Sequence, residues 1–359
     1  MDVLLQLPAD LPYQDLAQIA DQLKRAEVFV PGYLPAEAGL YNPDCFLFEH
    51  RVQQIEHCIL PDRNLASRMA QVAMGERLDT HRHCAATLMA YAQCLNIQID
   101  PSIAFHELAH KNGNAVALTE LRWFRSADAA RPQLWVDLAL GRIDRMPVEP
   151  APPIPDAMDL AMPLRRWRRN YVVALKLAEI ELSDRRPIDK QLELLDWMTS
   201  EFIVAGPAAV LAALYFSPRF ARRGMIKQLR APHRERALVG VRNAAWDITY
   251  LSEFVRKANA SMTAGGGSHR YILASMDRRL RSVATTLLAA PDPVADRAEA
   301  VEVFAKWWHR EDAETIVTAL VASIETASRR MTMEEDDREP VDVSKLIRAG
   351  EEVLRCQVT

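Results

Sequence analysis

Two short apolar runs, Cys45-Phe46-Leu47-Phe48 and His57-Cys58-Ile59-Leu60, are bounded by polar residues and proline, the pattern of buried strands. The second run stops at Pro61-Asp62, and the stretch that follows, 65–74, repeats apolar residues at helical spacing through Leu65, Met69 and Val72. A second helical period covers 84–95 through Leu88, Met89 and Ala92. Strand followed by helix predicts an α/β fold. Helices are also expected over 103–111, 115–127 and 133–140, before Pro147, Pro150, Pro152, Pro153 and Pro155 interrupt regular structure. Beyond these prolines, 160–183, 189–203 and 206–216 read as helix alone, and the period resumes over 236–258. Gly265-Gly266-Gly267-Ser268 reads as a flexible loop, and Tyr271-Ile272-Leu273-Ala274 as a further strand ending near an acid, Asp277. Helices follow over 279–289 and 313–330, then an acidic linker at 334–339 closed by Pro340, then a short helix near 343–355.

This order predicts an N-terminal extension (1–39), an α/β core from 40–145 with 235–290, a helical insertion (146–234) and a helical C-terminal region (291–359). With 359 residues the chain exceeds the usual size of one domain, which suits a core with a large insertion. Apolar residues at 49% and charged residues at 26% are the proportions of an ordinary globular chain. A formal net charge of −4 excludes binding to nucleic acid through bulk positive charge, so any phosphate contact must be local. No run approaches the roughly 20 apolar residues of a membrane span, and Met1-Asp2-Val3-Leu4 lacks a basic leader, so a soluble cytoplasmic protein without membrane contact is expected. Cys45, Cys58, Cys84, Cys94 and Cys356 are odd in number and form no CxxC pair, which predicts reduced thiols.

In open α/β sheets ligands bind at the carboxyl ends of the strands, where Asp62 and Asp277 fall. Gathered carboxylates repel one another and are usually neutralised by a hard divalent cation. The local patterns extend this. Cys58-Ile59-Leu60-Pro61-Asp62-Arg63-Asn64-Leu65 resembles the PIN-domain opening of an apolar strand followed by Asp-x-Asn. Pro101-Ser102-Ile103-Ala104-Phe105-His106-Glu107-Leu108 is similar to that family's second acidic motif, at the start of a helix. Asn243-Ala244-Ala245-Trp246-Asp247-Ile248 resembles the helix carrying the third acid, and Ile272-Leu273-Ala274-Ser275-Met276-Asp277 the final Leu-Ala-Thr-x-Asp strand end, with Ser in place of Thr. The gap from Glu107 to Asp247 is far longer than in compact members, and the helical insertion fills it.

The resemblance implies a three-layer α/β/α core with a parallel sheet and a metal-dependent nuclease, a ribonuclease above all, with DNA as the other substrate. Asp62, Glu107, Asp247 and Asp277 take the four acidic positions as catalytic and metal-binding residues for Mg²⁺ or Mn²⁺. Asn64, Ser275 and Asn243 would orient them. Many compact relatives are toxins neutralised by an antitoxin, so a protein partner of that kind and a homo-oligomer are carried as options. A non-catalytic PIN-like module that binds RNA or a partner is the alternative within the same fold.

A different chemistry overlaps Glu107, because His106-Glu107-Leu108-Ala109-His110 matches H-E-x-x-H, which binds zinc in metalloproteases. Val116 stands where the extended motif wants a third ligand, which leaves Glu120 as the candidate. Phosphate contacts have two candidate stretches. Arg219, Arg222, Arg223, Lys227, Arg230, Arg234 and Arg236 stand against one acid, Glu235. Arg165, Arg166, Arg168 and Arg169 surround Trp167, which with Tyr171 at i,i+4 can stack on bases or pack into the core.

Overall fold

The structure, a computed structural model, describes residues 11–33, 39–149, 153, 158–220, 225–263, 268–290, 293–332 and 342–357. Among them the chain forms fifteen helices and one four-stranded mixed sheet, and it divides into two compact units. Met1–Met162 with Phe254–Arg281 make the first, and Pro163–Glu253 with Ser282–Thr359 the second.

The first unit opens with α1 (Tyr13–Ala26), whose Leu16, Ile19, Ala20 and Leu23 recur at helical spacing and are buried. Then come β1 (Phe29–Pro31), α2 (Pro43–Arg51), β2 (Glu56–Pro61), α3 (Arg63–Ala73), α4 (Thr80–Cys94), β3 (Gln98–Ile99), α5 (Ser102–Asn112), α6 (Asn114–Ala129) and α7 (Pro132–Ala139). The next helices, α8 (Arg165–Glu181), α9 (Pro187–Ser200) and α10 (Gly206–Phe216), belong to the second unit, and α11 (Arg234–Thr263) carries the chain back to the first. There β4 (His269–Ala274) enters the sheet, followed by α12 (Arg278–Ala289), α13 (Arg297–Ala305), α14 (Arg310–Thr332) and α15 (Val343–Cys356).

Strand order is β1-β4-β2-β3. β2 runs parallel to β3 and β4, with Cys58 opposite Gln98 and Pro61 opposite Ala274. From β2 the chain moves outward to β3 on one side and returns to β4 on the other, so the order reverses at the β2–β4 boundary. In doubly wound sheets, ligands bind at such a reversal. The expected all-parallel sheet is corrected by β1, which lies antiparallel on β4 with Phe29 opposite Ala274. Residues 1–39, read as an extension, therefore supply an edge strand and a core helix.

Cys45–Phe48, read as a strand, is helical in α2. The reason is local: the Asn42 side chain accepts a hydrogen bond from the Asp44 N–H, and Pro43 at the first helical position has its φ preset for a helix. The Gly265–Gly267 loop, most of the proline cluster and the 334–339 linker fall outside the described residues.

In the second unit, the insertion and the C-terminal region pack together as one helical body. α15 lies against α8, and α14 against α9. The Tyr171 hydroxyl donates to Glu351 Oε1 (2.7 Å), which also pairs with Arg242 (2.9 Å). α10 is apolar on every face and buried from Ala208 to Phe216, the profile of a central helix. Among the described residues no helix is long and apolar enough to cross a membrane.

Candidate active site

The site is built where β2 and β4 end side by side. Asp62 follows β2 directly and caps α3, its Oδ1 accepting from the Leu65 N–H at 2.8 Å. Its own N–H donates to Ala274 O (2.9 Å), which extends the ladder one residue beyond β2. Ser275 follows β4, fully buried, and its hydroxyl donates to Asp62 Oδ2 at 2.5 Å while accepting from the Asp277 N–H at 2.9 Å. Asp277 is exposed and caps α12, accepting from the Arg279 N–H at 2.8 Å. A serine hydroxyl thus ties together the two strand ends and both aspartates.

Asp62 is only 4% exposed, and burial pushes its carboxyl up to about 6. The Ser275 and Leu65 hydrogen bonds oppose that rise, whereas the negative fields of Glu107 and Asp277 add to it. Two of the other predicted acids, Glu107 and Asp277, therefore act on Asp62 within the first unit. Glu107 projects from α5 with 6% exposure, and Lys111 one turn later pairs with it at 2.5 Å. The next residue after Asp62, Arg63, is gripped at both nitrogens by Glu120 of α6 (2.7 and 2.9 Å). Cys84 also lies within the field of Asp62, and burial pushes its thiol up to about 11, which keeps it neutral.

Asp247 and Asn243 lie on the part of α11 that belongs to the second unit. Asn64 is exposed on the first turn of α3. In the H-E-x-x-H segment, His106 Nδ1 bonds Leu160 O (2.8 Å), Glu107 holds Lys111, and Glu120 holds Arg63. Each of these groups is already engaged.

Of the basic residues, Arg222 and Arg223 lie outside the described residues. Arg219 donates to Ala305 O (3.0 Å), Arg234 to Leu354 O (2.8 Å), and Arg230 reaches Glu181 O (3.5 Å). Lys227 is exposed. Trp167 stacks on Tyr171 with ring centroids 5.0 Å apart and packs against Trp246 at 5.5 Å, the core use of this pair. The Lys111 pairing could have been read from its i,i+4 spacing to Glu107. The Arg63–Glu120 fork, which joins residues 57 apart, carries no such signal.

Replacing Ser275 with Ala removes a donor from Asp62 and an acceptor from Asp277. The expected outcome is a loss of about 1–3 kcal/mol of stability together with an Asp62 carboxyl that titrates above about 6. Urea unfolding and carboxyl-detected NMR titration read both; an unmoved Asp62 titration would show that the hydroxyl does not hold it.

Comparison with protein-family models, curated proteins and solved structures finds no match to this chain. The functional reading therefore rests on the chemistry of the site.

Proposed function

We propose that this chain is a PIN-like nuclease that hydrolyses phosphodiester bonds in RNA with the help of Mg²⁺ or Mn²⁺. The observation that carries the reading is the Ser275–Asp62 hydrogen bond across the β2–β4 boundary, with Glu107 and Asp277 within electrostatic reach of the same carboxylate. The Asp62 carboxyl is raised first by its burial and then by the fields of Glu107 and Asp277, and a bound cation would offset both. The donor chemistry fits a hard divalent ion, which would be held by Asp62 and Asp277 with Glu107 completing the set. As the side chains stand, no three His, Cys, Asp or Glu groups among the described residues are gathered to hold a metal ion. Glu107 is turned to Lys111, so its participation requires release of that pair.

When bound, the ion supplies charge neutralisation at the scissile phosphate and a more acidic water. The chain's own residues supply position. Ser275 fixes the Asp62 carboxylate, the Leu65 N–H holds its other oxygen, and the Asp277 main chain is anchored to the same hydroxyl. Glu120 holds the Arg63 guanidinium in one place, so it can meet a phosphate only by leaving that carboxylate.

The Glu107–Lys111 pair and the ungathered acids favour one second reading, a non-catalytic PIN-like module that binds RNA. Cleavage of labelled single-stranded RNA by the purified protein separates the two. The nuclease reading expects cleavage with Mn²⁺ or Mg²⁺, none in EDTA, and a loss of at least about a hundredfold in Asp277→Asn. RNA retained without cleavage in any metal, with unchanged binding in that variant, would establish the non-catalytic module instead.

A further inference from the structure

A cavity of about 300 Å³ lies wholly within the second unit, beside the first two turns of α8. That volume is at the lower end of the range for small-ligand sites. Its rim carries Arg165 and Arg169, which stand one helical turn apart on the same face, are exposed, and make no ion pair among the described residues. Arg166, also in the lining, is paired with Glu253, so its charge is already partly used. The lining also has an apolar part: Phe202, 8% exposed and stacked on Trp197 with ring centroids 5.3 Å apart, and Ile203, a large apolar side chain left 39% exposed. Asn170 closes the site with 4% exposure, its amide nitrogen committed to the hydroxyls of Thr249 (3.0 Å) and Ser252 (3.5 Å), so the orientation of its side chain is set.

Each part restricts the ligand. Two guanidinium groups four residues apart, with no ion pair among the described residues, match a dianionic phosphate, which arginine binds in a fork. A rigid aromatic ring beside an exposed Ile favours a flat, weakly polar body over a sugar or a bare ion. With its amide nitrogen engaged, Asn170 leaves only its carbonyl oxygen for a polar contact in a largely apolar lining. We propose that this cavity binds a nucleoside monophosphate, with the phosphate on Arg165 and Arg169 and the base against Phe202 and Ile203. The nucleotide is either free or the phosphorylated end of a strand. The proposal deepens the nuclease reading by giving it a nucleotide-end site, yet it needs no metal, so it can be tested while the acidic cluster is silent.

The test is calorimetric titration of the full chain in EDTA with adenosine 5′-monophosphate, adenosine, inorganic phosphate, and a trinucleotide with or without a 5′-phosphate. The monophosphate is expected to bind at least about tenfold more tightly than adenosine or phosphate alone, since only it engages both parts of the lining. Arg165→Ala with Arg169→Ala should weaken it roughly a hundredfold, the effect of losing two charge-assisted contacts. Both side chains are exposed, so the fold is retained, and Ile203→Trp, which fills the cavity and leaves the arginines, should weaken it as well. A phosphorylated trinucleotide that binds more tightly than the mononucleotide assigns the site to strand ends, and the reverse assigns it to free nucleotide. The proposal is overturned if neither phosphorylated probe binds, or if binding survives both the double arginine variant and Ile203→Trp. A chain that binds the monophosphate in EDTA but never cleaves RNA would sink the nuclease reading alone.

Discussion

Asp62→Asn is expected to make the protein more stable at pH 7.5 while cutting metal-dependent cleavage by at least about a hundredfold. Both effects come from one buried carboxylate. Its folded-state pKa, about 6, lies above the ordinary Asp value of 3.8. Between these values the folded chain holds a proton that the unfolded chain has released, so stability falls as pH rises through the window. Above about pH 6 the ionised group costs on the order of 3 kcal/mol. Below about pH 4 that cost vanishes. Asn is isosteric and an equally good N-cap, so it keeps the Leu65 contact and can still meet Ser275 without charge. In EDTA the variant should be more stable by about 1–3 kcal/mol at pH 7.5 and match the wild type near pH 4. Added Mn²⁺ should stabilise only the wild type, because an ion that binds the folded state alone shifts the equilibrium by mass action. Urea unfolding across pH 4–8, read beside the cleavage assay, checks all of this. A variant less stable than wild type at pH 7.5 would show that the ionised carboxylate contributes more through its hydrogen bonds than its burial costs. A stable variant that still cleaves would remove Asp62 from the metal site.

Trp135→Ala should unfold the first unit far more readily, with a loss of about 3–5 kcal/mol. Trp135 on α7 is fully buried in the core that α7 shares with α4 and α1. Its indole N–H donates to Ala127 O at 3.0 Å. That carbonyl also accepts from Gln93 Nε2 (3.2 Å), so it keeps a partner when the indole is gone. The cost is therefore mainly the cavity and the lost apolar burial, not a stranded polar group. Against a typical domain stability of roughly 5–15 kcal/mol this is a large share. Trp135→Phe, which loses less volume, should cost about half as much or less. Hydrogen exchange followed by mass spectrometry locates the effect, since faster exchange is expected in α1, α4 and α7 and not in α9 or α10 of the other unit. A loss under about 1 kcal/mol, or uniform exchange across both units, would contradict this account of the core.

Much of the helical framework was legible in the chain because helix-forming signals are local. Leu65, Met69 and Val72 recur at helical spacing and become the buried face of α3. Asp62, at the end of an apolar run, is both a strand end and a helix cap, and both roles are readable from neighbours a few residues away. Where the reading failed, short elements were usually to blame. β3 has two residues and β1 three, too few for alternation to emerge. Four consecutive apolar residues suit either strand or helix, and in α2 the Asn42-Pro43 start decides for helix. Asp247 sits in a helix, as expected, but a 30-residue helix spans both units, and no local pattern says to which of them its middle belongs.

The helical periods, two of the strands, the acids at their ends and the hydroxyl at position 275 are all legible in the chain, since each depends on residues within one or two turns. That β2 and β4 are neighbours, with Pro61 opposite Ala274, emerges only on folding, because sheet pairing joins segments that share no local signal. From that register follow the Ser275–Asp62 hydrogen bond between residues 213 apart and the burial that lifts the Asp62 carboxyl. The same holds for the Arg63–Glu120 fork and for the union of the insertion with the C-terminal helices. Desolvation and electrostatic fields act through space, so the chemistry of Asp62 is set by groups that only folding brings to it.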